Sequence, residues 1–447
     1  MIFFLYNIAQ WLGLCLTLPV WLVYLAMVPK ARAGFWQKVG FYPVPAPAAA
    51  SPHAHRPCVW FHAVSVGELN AIRPVIESVD AAMTVVISTT TRTAQKLARN
   101  RYPSHRVFYY PFDLWPAVNS ALNRIQPNLV VLTETELWPN FLFACRRHRV
   151  PVVVVNGRIS RGSFNGYRWI KWLLKPAFRA IVHFFMQTQA DANRIQSLGD
   201  VPTERVTVAG NLKFDINPSL VPGLREQLAV LLGVDAQSTT LVYASTHPGE
   251  EDLLMRVYML LRKDFPELRV ILAPRHPERV PEVSKVLAMQ NIRHSLRSKL
   301  QPDTPNTEAV VILDTIGELM AVYSLATVAV MGGSFVEKGG QNPLEPISQR
   351  IPVLFGPSMD NFPAITQLIL DAGAGIQVKD TDELQQQLQE ILTQPEPVYT
   401  MVESGQQLLE NNRGAREIIV QGIRQWVTCT RKTLDDMAVP VRHEREP

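Results

Sequence analysis

Cysteine is scarce in this chain. Cys15, Cys58, Cys145 and Cys429 are the only four in 447 residues, and they stand far apart. With no C-x-x-C pair and no dense spacing, a disulfide-stapled scaffold is excluded and a reducing compartment is the simpler setting. His, Cys, Asp and Glu nowhere cluster at metal-ligand spacing, so no metal is expected. Neither G-x-G-x-x-G nor a Walker A sequence occurs, which disfavours dinucleotide binding and ATP hydrolysis, and no cofactor is expected. No self-similar period marks a solenoid, and no nucleic-acid-binding module is recognisable.

Charge is missing from two stretches, and each omission is informative. Met1 to Pro29 carries no charged side chain. The apolar run from Phe3 to Val28 is long enough to cross a bilayer core of about 30 Å as a helix. The run is longer than a signal-peptide core and has no basic residue in front, so an uncleaved anchor over 1–29 is expected in preference to a cleaved leader. Lys30, Arg32 and Lys38 follow, which puts the remaining chain on the cytoplasmic side. The second omission is of acid: between Leu137 and Ala190 there is no Asp or Glu but nine Arg or Lys. That segment accounts for the net charge of +5 and leaves the rest of the chain net negative. It includes Tyr167-Arg-Trp-Ile-Lys-Trp-Leu-Leu-Lys175, where Trp169, Trp172 and Leu173 can share a helical face beside basic residues. Such a surface suits anionic lipid headgroups better than nucleic acid.

The length exceeds what one ordinary core fills, so two domains are expected. After a basic and Pro-rich linker (30–57), short apolar runs alternate with helical patterns. Val59–Ala63, Thr84–Ser88, Asn128–Leu132 and Val150–Val155 read as strands of a first domain, 58–215. A Pro- and Asn-bearing connection, Asn211 to Gly223, precedes a second series. Thr240–Ala244, Leu268–Leu272, Val310–Leu313, Thr327–Met331 and Ile351–Phe355 place a second domain at 216–426, before a polar tail, 427–447. Alternation of this kind argues for an α/β protein with two doubly wound, Rossmann-like parallel sheets facing a cleft, where binding residues collect at strand C-termini.

Several residues fall at such ends. Glu68 follows a strand and a glycine in the first turn of a helix, whose dipole favours the carboxylate as a proton acceptor; an ordinary first-turn acid is the plainer account. Glu134 and Glu136 follow a strand directly and share a face if the chain stays extended, whereas a turn would separate them. Arg275 and His276 end another strand, where a guanidinium can hold a phosphate in a bidentate way or form a surface ion pair. Ser245 and Thr246 can donate to the same phosphate or cap the next helix. Gly332 to Pro346, GGSFVEKGGQNPLEP, supplies two glycine pairs and a helix start in which Asn342 caps, Pro343 opens the helix and Glu345 completes a capping box. Strand, glycine loop and helix start together suggest a phosphate or sugar-nucleotide cradle.

The motifs HAVSVGE (62–68), TETELWPN (133–140), NGRIS (156–160), GNLKFD (210–215), ASTHPGEE (244–251), APRHPER (273–279) and GGQNPLEP (339–346) occur in an order that resembles the 3-deoxy-D-manno-octulosonate (Kdo) transferases of Gram-negative bacteria. The resemblance covers about residues 1–425. It implies a GT-B-type, membrane-anchored, inverting, metal-independent glycosyltransferase of the inner membrane, working on the cytoplasmic face. It would move Kdo from CMP-Kdo to a lipid A precursor, lipid IVA, in lipopolysaccharide synthesis. By the same resemblance Glu68 is the catalytic base, Glu134 and Glu136 lie on the acceptor side, and Ser245, Thr246, Arg275, His276, Gly340, Gln341, Asn342 and Glu345 lie on the donor nucleotide side. Two positions depart from the family pattern: Gln341 stands where His is common, and Gly157 where Ala is. The alternatives are a two-domain transferase using another sugar nucleotide, and a membrane-tethered binding protein of the same fold that has lost catalysis.

Overall fold

The computed structural model describes residues 2–28, 32–42, 56–216, 221–235, 237–303 and 306–428. Most of the expected linker, part of the connection between the domains and nearly all of the expected tail lie outside these residues. The chain divides into two units. One runs to Asp215 and resumes at Arg413, and the other is Ile216–Asn412.

In the first unit, seven strands form one parallel sheet: β1 (Cys58–Ala63), β2 (Thr84–Thr89), β3 (Arg106–Tyr109), β4 (Leu129–Thr133), β5 (Val152–Gly157), β6 (Ile181–Met186) and β7 (Val206–Val208). Their spatial order is β3-β2-β1-β4-β5-β6-β7. Successive side chains of β1 go to opposite layers: Trp60 joins Phe141 and Phe184 on one face, while Val59 and Phe61 join Ile72 and Val75 on the other. A strand apolar on both sides is what a parallel sheet covered by helices requires. The order reverses between β1 and β4, which is where such sheets bind ligands.

The second unit repeats the plan with β8 (Thr240–Thr246), β9 (Arg269–Pro274), β10 (Ser295–Leu296), β11 (Val310–Ile312), β12 (Val328–Met331), β13 (Val353–Phe355) and β14 (Ile376–Gln377). Its order is β10-β11-β9-β8-β12-β13-β14, again all parallel, with the reversal between β8 and β12. Strands β3, β6, β7, β10 and β14 were absent from the sequence reading. Four of them are only two to four residues long, and Arg106 and His183 border or interrupt the apolar runs of β3 and β6.

The helix Ala415–Val427 belongs to the first unit, although the sequence reading carried the second domain to 426. Its apolar stripe, Ile419, Ile423 and Trp426, enters the core formed by Ile72, Val75 and Val79. The Asp215 carboxylate fixes its start by accepting from the Gly414 and Arg416 amides at 2.8 and 2.6 Å. Burial of that stripe decides the assignment, and chain order does not report it.

The N-terminal helix, Ile2–Met27, is long and apolar enough to cross a membrane. Phe3, Tyr6, Asn7, Gln10 and Leu14 are half-buried and the residues between them exposed, which is one helical stripe at i, i+3, i+4, i+7 and i+11. Arg32 donates to the Leu25 and Ala26 carbonyls and so closes the helix C-terminus. The chain then lies against the first unit again. Gln37 accepts from the Tyr109 amide, and the Lys38 carbonyl from the Phe112 amide.

In the acid-free segment the expected common face is broken. The helices Arg161–Trp169 and Lys171–Ala177 meet at a non-helical Ile170. Trp169 (85% exposed) and Trp172 (55%) face solvent, while Leu173 is buried. Lys171 and Lys175 both pair with Asp200, which neutralises part of the basic character.

Candidate active site

Strand β1 delivers the chain to Ser65, which caps the helix Val66–Asp80 by accepting from the Glu68 amide at 3.3 Å. Glu68 answers: its carboxylate accepts from the Val64 amide at 2.9 Å and the Ser65 hydroxyl at 3.0 Å. This is the reciprocal capping arrangement of a Ser-x-x-Glu sequence, so the plain structural role is present. It does not describe the whole environment of the group. Burial, with the nearby carboxylates of Glu134 and Glu136, pushes the Glu68 carboxyl up to about 7, against the hydrogen bonds from Val64 and Ser65. The expected dipole effect, which would hold the acid ionised, is therefore outweighed.

Glu134 and Glu136 come from the end of β4, adjacent to β1 at the reversal. The chain does turn after Thr133, with Glu134 at φ +60°. Both acids nonetheless act on Glu68, so the turn does not separate them. Glu136 accepts from the Trp138 indole at 2.8 Å. Glu134 is raised by burial and lowered by Lys213 and Arg158, and Lys213 is itself lowered by burial and raised by Glu134. Lys213 and Arg158 were not singled out in the sequence, although both sit in quoted motifs, GNLKFD and NGRIS. The first unit thus offers three carboxyls and two cations around one strand-end region, suited to gripping hydroxyls and taking a proton from one of them. Gly157, where the family often has Ala, has a packing reason: a Cβ there would lie 2.5 Å from Met186 Sδ.

In the second unit the loops after β8 and β12 meet at the reversal. Gly332 lies so close to β8 that a Cβ would fall 2.5 Å from the Ser245 carbonyl oxygen. A buried carboxylate organises both loops: Glu250 accepts from the His247, Gly333 and Phe335 amides at 2.8, 2.7 and 2.9 Å. Glu250 is not among the expected site residues: locally it is one of three consecutive acids in the first turn of a helix. Its neighbour Glu251 holds Arg279 and the Thr246 hydroxyl.

The expected donor-side residues fare differently. Thr246 is fully buried and its hydroxyl is committed to Glu251, so it is not directed at a phosphate and does not cap the next helix. Ser245 is half-buried in a left-handed conformation (φ +58°). The Gly340 amide is already bonded to the Gly333 carbonyl at 2.9 Å, which ties the two glycine pairs together and removes that amide as an anion donor. Asn342 accepts from the Leu344 amide at 3.3 Å, but Pro343 precedes the short helix Leu344–Ser348 instead of opening it. Glu345 is half-buried in that helix. Arg275 and His276 are exposed at the end of β9, and the Arg275 guanidinium has no ion-pair partner among the described residues. Gln341 Nε2 faces His247 Nε2 at 3.2 Å, an amide donating to a neutral imidazole. Burial, then His276, Arg275, Lys338 and Arg279, hold His247 below its ordinary value. Arg275, Lys338 and Arg279 about the His247 imidazole make a cationic corner fit for phosphate, and its His247 and Lys338 were missed from sequence.

Solved structures resemble this chain in fold. A glycosyltransferase from Rickettsia africae aligns over 84% of the chain and 100% of its own at TM-score 0.54 and 11% identity. The UDP-GlcNAc 2-epimerase of Neisseria meningitidis aligns over 82% and 100% at 0.53 and 15%. The sequence comparisons reach further. The family model described as 3-deoxy-D-manno-octulosonic-acid transferase (kdotransferase) matches residues 33–216. The 3-deoxy-D-manno-octulosonic acid transferase of Haemophilus influenzae is 29% identical over 89% of this chain and 92% of its own. The probable mitochondrial enzyme of that name from Arabidopsis thaliana is 30% identical over 80% and 83%. With two parallel α/β units, acids at one reversal and a cationic corner at the other, the chain belongs to the 3-deoxy-D-manno-octulosonic acid transferase family of glycosyltransferases.

Proposed function

We propose that this transferase moves Kdo from CMP-Kdo to lipid IVA with inversion, and that Glu68 is the general base. The observation carrying this reading is the state of Glu68. Its carboxyl is held in place by two donors, surrounded by two further acids, and poised near neutrality, where a base can both exist and accept a proton. Glu68 takes the proton of an acceptor hydroxyl, that oxygen forms the bond to the anomeric carbon of Kdo, and the bond to the CMP phosphate oxygen breaks with its electron pair. Glu134 and Glu136 orient the acceptor, steadied by Lys213 and Arg158. Arg275, with Lys338 nearby, offsets the charge that develops on the departing phosphate; His276, Gln341, Asn342 and Glu345 complete the nucleotide side.

The lipid acceptor explains the N-terminal helix, which we place at the cytoplasmic face of the inner membrane. Two observations favour a helix embedded in the near leaflet over a spanning one. Beyond Leu14 the helix extends only about 20 Å at 1.5 Å per residue, less than the roughly 30 Å core. The chain just past it, at Gln37 and Lys38, touches the same unit as its first turns.

The test supplies CMP-Kdo and lipid IVA to detergent-solubilised protein and follows lipid mass and anomeric configuration. Transfer with inverted configuration is expected, and Glu68→Ala abolishes it while nucleotide binding persists. Absence of a Kdo-sized addition beside an active control enzyme refutes the assignment.

A further inference from the structure

The polar residues of the N-terminal helix have a destination that lipid attachment does not require. In a helix otherwise apolar, Tyr6, Asn7 and Gln10 all lie on the half-buried stripe, and all three bond to the start of the helix Pro139–Arg147 or to its cap. The Asp113 carboxylate is the centre. It accepts from the Asn140 and Phe141 amides at 3.1 and 2.8 Å, capping that helix from outside, and from the Tyr6 hydroxyl at 3.0 Å. Asn140, fully buried, accepts from Asn7 Nδ2 at 2.9 Å and donates to Gln10 Oε1 at 2.8 Å. Gln10 in turn donates to the Tyr6 hydroxyl and the Asp113 carbonyl at 2.9 and 3.1 Å. Phe3 stacks on Phe143 with ring centroids 4.0 Å apart.

Apolar contact alone would hold such a helix loosely, free to turn or slide by a step. A buried polar network with one satisfying arrangement removes that freedom, as single polar residues set register in coiled coils. The network closes on Asn140, the last residue of TETELWPN, four positions after Glu136 and six after Glu134. The element fixed in rotation and depth is therefore the one lipid sees, and the element it is fixed to begins where the acidic loop ends.

We propose that Tyr6, Asn7 and Gln10, through Asp113 and Asn140, are positioning residues that set the acidic loop of Glu134 and Glu136 at a defined height and angle to the bilayer. This rests on the reading of that loop as the acceptor side. The helix is then more than a tether: it presents the loop to a sugar headgroup whose own height is fixed by its acyl chains. Restricting both partners to one plane lowers the orientational cost of their meeting, and that gain is lost for an acceptor free in solution.

The test uses the full-length protein and a Tyr6→Phe/Asn7→Leu/Gln10→Leu variant, whose helix stays apolar and still partitions to lipid. Each is assayed with lipid IVA in phospholipid vesicles and with its water-soluble deacylated form. The KM for the vesicle-borne acceptor is expected to rise about tenfold, the loss of one or two net hydrogen bonds. The kcat, the KM for CMP-Kdo and the KM for the soluble acceptor should stay within about twofold, the range ordinary for peripheral substitutions. Gln10→Leu alone gives a smaller change in the same direction and guards against misfolding of the triple variant. Equal losses with both acceptors would make the network a fold element only, and no change with either would refute it. No transfer by the wild-type protein to either acceptor would refute the function instead.

Discussion

Replacing Glu68 by Gln separates the two roles its environment supports. The carboxyl is raised from 4.5 to about 7 by burial and by Glu134 and Glu136. Between those values the folded protein holds a proton that the unfolded chain has released. Stability therefore falls as pH rises through that window, by about 1.4 kcal/mol per unit and about 3 kcal/mol in total. Gln removes the ionisation and with it this loss. It also exchanges a two-oxygen acceptor for one oxygen, and so gives up one of the bonds from Val64 and Ser65, a cost of about 1 kcal/mol. At pH 8 the variant should be more stable than wild type by about 2 kcal/mol, and at pH 5 it should be equal or slightly weaker. The assay is favourable, because all nine tryptophans lie outside Ile216–Asn412 and fluorescence in a urea titration reports the first unit alone. Over the same range wild-type turnover should rise with pH through about 7 and the variant should show neither the rise nor the turnover. A stability difference that does not change between pH 5 and 8 would refute the reasoning, whatever the activity.

Glu250→Gln leaves one oxygen for three amide donors in the second unit. It should cost about 1–3 kcal/mol there and speed hydrogen exchange at Gly333 and Phe335; unchanged exchange would deny Glu250 its organising role. Gly332→Ala forces a methyl against the Ser245 carbonyl, so β8 and β12 must part, and CMP affinity measured by calorimetry should fall at least tenfold. Ile423→Ala, beyond the second unit in sequence, should lower the urea midpoint of the tryptophan transition by the equivalent of about 2–4 kcal/mol. Exchange in strands β8 to β14 should stay unaffected, and the reverse pattern would reassign the C-terminal helix.

Much of the candidate site was legible because its residues sit where local signals are strong. Glu68, Glu134, Arg275 and the glycine loop each follow a predominantly apolar strand, and that adjacency is written in the order of residues. What escaped had no local mark. Glu250 reads as a routine helix-start acid, and only the folding of two loops onto it gives it three amides. Thr246 looks as available as Ser245, yet strand alternation turns it inward to Glu251. Lys213 is separated from Glu134 by 79 positions, and the influence of each charge on the other arises only once β4 and the chain after β7 converge.

By itself the sequence determined the class of the molecule: periodic apolar runs and glycine turns dictate two parallel α/β sheets, the uncharged N-terminal run dictates a helix long and apolar enough to cross a membrane, and the ordered motifs carry the family. Those properties depend on local pattern, which the chain states directly. Tertiary structure alone decided which acids share a field, which amides are already spent, that the helix Ala415–Val427 serves the first unit, and that Tyr6, Asn7 and Gln10 hold the N-terminal helix to Asp113 and Asn140. Each of these is a contact between residues distant in sequence, and burial and electrostatic coupling arise only when the fold brings them together.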